Sequence, residues 1–245
     1  MSIQPHVLFE WLGYALGGTI YWRTRDLSAQ PQDRLQRLAI VAGAIAGAAF
    51  GSKLIYILDY WTMLQGLPRS AWLGGKTVVG GLLFGVFGVE LAKKYIGWHR
   101  STGDSFVWPV LAGLFLARLG CQFSGGQDLT YGIPTSLPWG WDYGDGIARH
   151  PTAFYEMAGL IVIALIVRAG PPRAAEGDRF RLFMVCYLLF RLLLDFLKPP
   201  HGPPIAGLLV PDSNAGLTAG QWVCVLGLVY YSGAIRRWIR PPAHA

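Results

Sequence analysis

The sequence predicts an all-α integral membrane protein of about seven transmembrane helices, with the N-terminus outside and the C-terminus in the cytoplasm. Three observations carry this: too little charge to cover a water-facing surface, apolar segments of spanning length along the whole chain, and basic residues grouped in alternate loops. Charged residues make up 14% of the 245, hydrophobic ones 53%, and the mean hydropathy is +0.36, whereas a soluble domain is roughly a quarter charged. Aromatic residues reach 13%, with 10 Trp, as suits rings lying at headgroup depth. The length is that of one domain, so residues 1–245 read as a single polytopic membrane domain with an outer-face loop region at about 120–150.

A span needs about 20 apolar residues. The expected segments run near Val7–Trp22, Leu38–Trp61, Val78–Ile96, Phe106–Leu119, Pro151–Val167, Phe180–Leu197 and Gly220–Ile239. The first and fourth are short and call for tilt or local thinning. Gly43, Gly47 and Gly51 in the second span, with Gly81 and Gly85 in the third, have the four-residue spacing that lets helices approach closely in lipid.

Basic residues set the orientation. Arg23, Arg25, Arg34 and Arg37, then Lys93, Lys94 and Arg100, then Arg168, Arg173, Arg179 and Arg181, then Arg236, Arg237 and Arg240 lie in alternate connections, fourteen of the 21 Lys and Arg. Such loops stay in the cytoplasm. The formal charge of +7 thus reflects topology, and no nucleic-acid partner follows from it. Met1 to His6 shows neither a basic leader nor a small-residue cleavage pattern, so no removable signal peptide is expected. Cys121, Cys186 and Cys224 form no CxxC or Cys/His cluster and read as packed thiols; neither a metal nor another cofactor is expected.

With this threading Lys53, Arg69, Lys76, Arg118, Arg149, Arg191 and Lys198 all fall in the outer half, as do Glu10, Asp59, Glu156 and Asp195. Ionisable groups at membrane depth are costly and mark functional sites by default. Three constellations stand out. Arg118 closes the fourth span and leads through Ser124, Gly125 and Gly126 into a loop that ends at Arg149-His150-Pro151; loops this long are often functional. Arg191, Asp195 and Lys198 share one helical face, a plus–minus–plus stripe in which Asp195 can orient a guanidinium fork suited to phosphate oxygens. Lys76, Gly80 and Gly81 mark a glycine-rich helix start, where free N–H groups favour an anion. The plainer readings stay open: an arginine snorkelling to headgroups, a salt bridge between spans, an ordinary helix start. Together, two or three cations beside a lipid-accessible cavity fit a phospholipid headgroup of the outer leaflet. That names a ligand and no reaction.

At these residues the chain resembles the bacterial prolipoprotein diacylglyceryl transferases. The likeness is carried by Arg118 to Gly120, Tyr131-Gly132, Leu137-Pro138-Trp139-Gly140, Arg149-His150-Pro151 and Tyr155-Glu156, by the Arg191/Asp195/Lys198 stripe, by Gly216 to Gln221, and more loosely by the Gly74–Gly81 run. The resemblance implies a multi-pass enzyme of the bacterial cytoplasmic (inner) membrane with its site towards the outer leaflet. It would move a diacylglyceryl group from phosphatidylglycerol to a lipobox cysteine of a prolipoprotein, forming a thioether and releasing glycerol phosphate. By position, Arg118 and Arg191 would hold the phosphate, Asp195 would orient Arg191, and Glu156 would fix the fifth span against the site. Ser124, Gly125, Arg149, Lys198, Lys76, Gly80 and Gly81 would complete the lipid-binding surface.

Departures from the family pattern bear on the acceptor more than on the donor. Val79 stands where many members have a histidine, Ser124 where they have Asn, Asp195 and Lys198 where they have Glu and Arg, and Gln127 to Thr130 are inserted. An aliphatic side chain cannot take a proton, which makes His150 the sequence-level choice of base. A different acceptor for the same donor, or a non-catalytic lipid-binding or transport protein, are the competing readings.

Overall fold

Glycines decide how these helices meet. The computed structural model describes residues 5–124, 130–171, 175–199 and 216–239. In chain order its α-helices are α1 (Pro5–Thr24), α2 (Arg34–Asp59), α3 (Trp61–Gln65), α4 (Arg69–Trp72), α5 (Val78–Ile96), α6 (Val107–Phe123), α7 (Thr152–Ala169), α8 (Asp178–Leu194), α9 (Ala219–Tyr230) and α10 (Ser232–Ile239). A short hairpin, β1 (Trp141–Asp142) and β2 (Ala148–Arg149), lies between α6 and α7. By length and composition, the helical stretches Arg34–Asp59, Gly103–Phe123 and Thr152–Ala169 can cross a membrane, and α9 is apolar but shorter.

Each expected span coincides with a helix to within a few residues, except the seventh, which is two helices broken at Tyr231. Contacts divide the chain into two units, and that break falls on their boundary. One unit comprises Met1–Asp26, Ser101–Pro199 and Tyr231–Ala245, the other Leu27–Arg100 and Pro200–Tyr230.

In the first unit α1 packs antiparallel on α6. A Cβ on Gly13 would lie 3.0 Å from the Gly113 carbonyl oxygen, and one on Gly17 3.0 Å from that of Pro109. Nearer the start of α1, a Cβ on Gly120 would meet Phe9 at 2.8 Å and the His6 backbone at 3.2 Å. α7 follows beside α6, and α8 beside α7 with the Phe190 ring laid over Gly159. At the far end Asp104 accepts the Gly177 and Phe180 amides at 3.0 and 2.9 Å, capping α8 from another segment. The fully buried Asp178 gathers Arg181 at 2.7 Å, the Trp238 indole N–H at 3.2 Å, and Arg237, which ties α10 to the unit.

In the second unit α2 and α5 run antiparallel in close contact. Cβ atoms on Gly43, Gly47 and Gly51 would strike the Gly88, Phe84 and Gly80 carbonyls, and one on Gly80 would strike that of Gly51. The face of α5 in this seam is therefore Gly80, Phe84 and Gly88, while Gly81 and Gly85 sit at ordinary contact distance from Ala48. Lys53 reaches from α2 to the Gly75 carbonyl at 2.6 Å and to that of Leu73, closing off the segment before α5. Thr218 and Gln221 cap α9 reciprocally, side chain to amide at 2.9 and 3.2 Å, and Asp59 accepts the Gly220 amide at 3.0 Å.

Candidate active site

The chemistry of the first unit concentrates where α6, α7 and α8 bring charges into a common interior. Arg118 is one turn from the end of α6, Glu156 one turn into α7, and Arg191 one turn before the end of α8, so each side chain leaves its helix near a terminus. All three are buried, Glu156 to 2% exposure. Its carboxylate is the hub: Oε2 receives Arg118 Nε at 2.6 Å, while Oε1 receives Arg191 at 2.7 Å and Lys198 Nζ at 2.9 Å. A second terminal nitrogen of Arg191 meets Asp195 Oδ1 at 2.7 Å, and Lys198 stands 3.9 Å from the same oxygen. Three cations face two carboxylates, leaving one positive charge in surplus. Burial makes that charge act strongly on an anion placed beside it.

Arg118 has a second contact, its NH1 donating to Cys121 Sγ at 3.6 Å. Cys121 Sγ lies 3.7 Å from His6 Nδ1, and His6 Nε2 lies 3.7 Å from Glu10 Oε2, whose other oxygen accepts the Tyr14 hydroxyl. The His6 amide, one of the unpaired donors of the first turn of α1, is taken by Ser124 Oγ at 3.0 Å. Sequence reasoning passed over His6 and Cys121 as site residues. A signal existed: His6, Glu10 and Tyr14 recur at intervals of four and so share a helical face.

Residues 130–151, before α7, form a strap over this end of the unit. Gly132 donates to the His150 carbonyl at 2.9 Å and Ile133 to that of Leu197 at 2.8 Å, while the His150 amide returns to Ile133 at 3.1 Å. A Cβ on Gly132 would lie 2.5 Å from His150 Cβ and 2.7 Å from the Leu197 oxygen, so the close approach leaves room only for glycine. The hairpin turn is built on Asp142, whose Oδ1 accepts the amides of Gly144, Asp145 and Gly146 at 2.8, 3.1 and 3.0 Å. Gly144 and Gly146 take φ of +104° and +77° there. Arg149 forks onto Asp145 at 2.7 and 2.6 Å and lies 4.8 Å over the Tyr131 ring. Those hydrogen bonds hold the Asp145 carboxyl down at about 2.

His150 Nδ1 lies 3.2 Å from the Tyr155 hydroxyl, which accepts the Trp139 indole N–H at 2.8 Å. An indole can only donate, so Tyr155 accepts from Trp139 and links it to the His150 ring. The structure thus gathers Arg118, Arg191, Glu156, Asp195 and Lys198 into one cluster, ties Ser124 to α1, and sets Arg149 and His150 in the strap. Lys76, Gly80 and Gly81 belong to the second unit, where Gly80 is part of the α2–α5 seam beside the buried Val79. Gly125 lies outside the described residues.

Comparison with known proteins places the whole chain in a family. A model of the prolipoprotein diacylglyceryl transferase family matches residues 2–236. The chain belongs to this family. Among relatives named phosphatidylglycerol–prolipoprotein diacylglyceryl transferase, that of Geobacter sulfurreducens is 31% identical, over 96% of this chain and 95% of the relative. That of Nitratidesulfovibrio vulgaris is 32% identical over 92% and 87%, and that of Bordetella parapertussis 33% over 83% and 76%. Prolipoprotein diacylglyceryl transferases are transferases that act on a membrane lipid. A buried cluster with one surplus cation, placed where three helices end, suits a phosphodiester of charge minus one.

Proposed function

We propose that this protein transfers the diacylglyceryl group of phosphatidylglycerol to the thiol of a lipobox cysteine in prolipoproteins, at a site formed by Arg118, Arg191, Lys198, Glu156 and Asp195. Membership of the family supports the reaction, and the observation that carries the site is the Glu156 hub with its three cations.

The sulfur lone pair attacks the glyceryl carbon, the C–O bond to phosphate breaks, and glycerol phosphate leaves with that electron pair. Negative charge grows on the phosphate as the bond opens. Fixed guanidinium groups stabilise that charge without reorganising, which is the largest effect available to a site of this kind. Glu156 and Asp195 hold the cations in register, and Asp195 keeps Arg191 oriented. The positive-inside distribution supports seven spans in the bacterial cytoplasmic membrane, with the N-terminus and the cluster on the outer side.

The deciding experiment follows labelled diacylglyceryl from phosphatidylglycerol to a synthetic lipobox peptide and to cell extract. Labelled thioether on the peptide is the expected result. Product from extract alone would move the proposal to another acceptor. Reporter fusions give the topology: cytoplasmic after Arg240, external within the strap. The reverse would put the cluster on the wrong side for exported substrates.

A further inference from the structure

The acceptor thiol must lose a proton, and the residues above give it no destination. Val79 is aliphatic and buried, and His150 belongs to the strap, its Nδ1 beside the Tyr155 hydroxyl rather than beside a cation of the cluster. A different imidazole stands next to the cationic cluster. His6 lies in the first turn of α1 and shares a neighbour with Arg118, the Cys121 sulfur, which is 3.6 Å from the guanidinium and 3.7 Å from the ring.

We propose that His6, backed by Glu10, takes the proton of the acceptor thiol. The proposal rests on the transferase reading above and deepens it. The Cys121 sulfur touches both this ring and Arg118, so the imidazole stands one sulfur's width from the guanidinium. The side chains of His6 and Glu10 are 28% and 19% exposed, within reach of an incoming peptide, whereas Cys121 is buried at 3%. The residue is held at both backbone and ring. Its amide is fixed on Ser124, and Glu10 stands beside Nε2 with its other oxygen fixed by Tyr14.

The step balances. The S–H bond breaks and its proton passes to the His6 ring, while the sulfur pair forms the S–C bond. The C–O bond opens with its electron pair onto phosphate, and the imidazolium then releases its proton to the leaving phosphate or to water. The groups facing His6 among the described residues include Glu10, with Tyr14 behind it, on its own helix, Cys121 on α6, the hydroxyl of its C-cap Ser124, and Arg118 beyond the sulfur. The carboxylate is the direct charged neighbour and stabilises the imidazolium as it forms, while Arg118 opposes it from behind Cys121.

A pH profile separates this from a merely structural role. The full-length protein in phosphatidylglycerol vesicles is assayed for transfer to a lipobox peptide, from about pH 6 to well above the ordinary thiol pKa of about 8.5. His6→Gln is expected to lower the rate on the order of a hundredfold near pH 7. The deficit should shrink as the peptide thiol ionises unaided. Glu10→Gln should show a smaller loss with the same pH trend. It carries the same test if His6→Gln fails to accumulate in membranes. A deficit that stays constant across pH, or a wild-type rate for His6→Gln near pH 7, overturns the proposal. Failure of the wild type to modify the peptide at any pH removes the transferase reading itself, and is seen without any variant.

Discussion

Arg118 meets Glu156 through its Nε, at 2.6 Å, while NH1 of the same guanidinium turns to Cys121. One side chain thereby links the buried carboxylate hub to the His6 end of α1. Arg191 uses its terminal nitrogens differently, one on Glu156 and one on Asp195, each at 2.7 Å. Each arginine spans two partners with different nitrogens of one planar guanidinium.

From this follows a charge-preserving test. Arg118→Ala and Arg191→Ala are expected to lower transfer by at least a hundred- to a thousandfold, the scale for losing a fixed donor to developing charge. Arg118→Lys and Arg191→Lys should recover little, since a point charge cannot reproduce the fork. Asp195→Asn should be milder, because Glu156 still holds Arg191. Transfer assays at matched membrane levels decide this, and near-normal rates in both alanine variants would remove the phosphate site.

Glu156 should behave differently from the arginines in stability. Glu156→Gln leaves Arg118, Arg191 and Lys198 buried without their shared carboxylate, Asp195 still meeting Arg191 and Lys198. Stripping one partner from a buried pair costs about 3–5 kcal/mol. Arg118→Ala keeps Glu156 paired with two cations and should cost less. Thermal unfolding in detergent is expected to place Glu156→Gln below Arg118→Ala, although both are inactive. The opposite order would mean that Glu156 is not the hub.

The α2–α5 seam makes a prediction free of chemistry. A Cβ at Gly47 would drive into the Phe84 carbonyl, a backbone group that cannot swing aside, whereas one at Gly81 would sit 3.6 Å from Ala48 and Ser52. Gly47→Ala should therefore destabilise by about 1–3 kcal/mol, the cost of overpacking. Gly81→Ala should be neutral or gain up to about 1 kcal/mol from helix propensity. Equal unfolding temperatures for the two variants would contradict the seam.

Much of this was legible because lipid restricts what a sequence can do. Apolar runs located the helices, since a span must satisfy its own backbone. The buried charges located the cluster, since Arg118, Arg191, Asp195 and Lys198 have no place in an apolar helix without a task. The partners were harder. Spacing paired Arg191 with Asp195 on one helix, but the Glu156 hub joins three helices, and no local pattern shows which carboxylate lies between two arginines. The glycine face was read one residue away from the contact: Gly81 and Gly85 have the right period, yet Gly80 and Gly88 take the closest approach. Periodicity gives a spacing and not which face meets a neighbour. The break at Tyr231 was missed because apolar residues continue through it.

The strap gives the last prediction, which separates positioning from chemistry. Arg149 is held by Asp145 and stacked over Tyr131, and His150 Nδ1 pairs with the Tyr155 hydroxyl, so both serve the shape of the segment crossing the ends of α7 and α8. His150→Gln is expected to lower transfer only several-fold, with a deficit that does not change with pH. Arg149→Ala should be milder than Arg118→Ala. It should loosen the hairpin, seen as faster amide exchange at Gly144 and Gly146. Asp145 has its pKa depressed in the folded state, so its contribution is present above the ordinary carboxylate range and fades only as pH falls towards about 2. The hairpin should accordingly hold throughout the neutral range in which transfer is measured. A loss on the order of a hundredfold for His150→Gln that recedes at high pH would instead make His150 the proton acceptor and return His6 to a packing role.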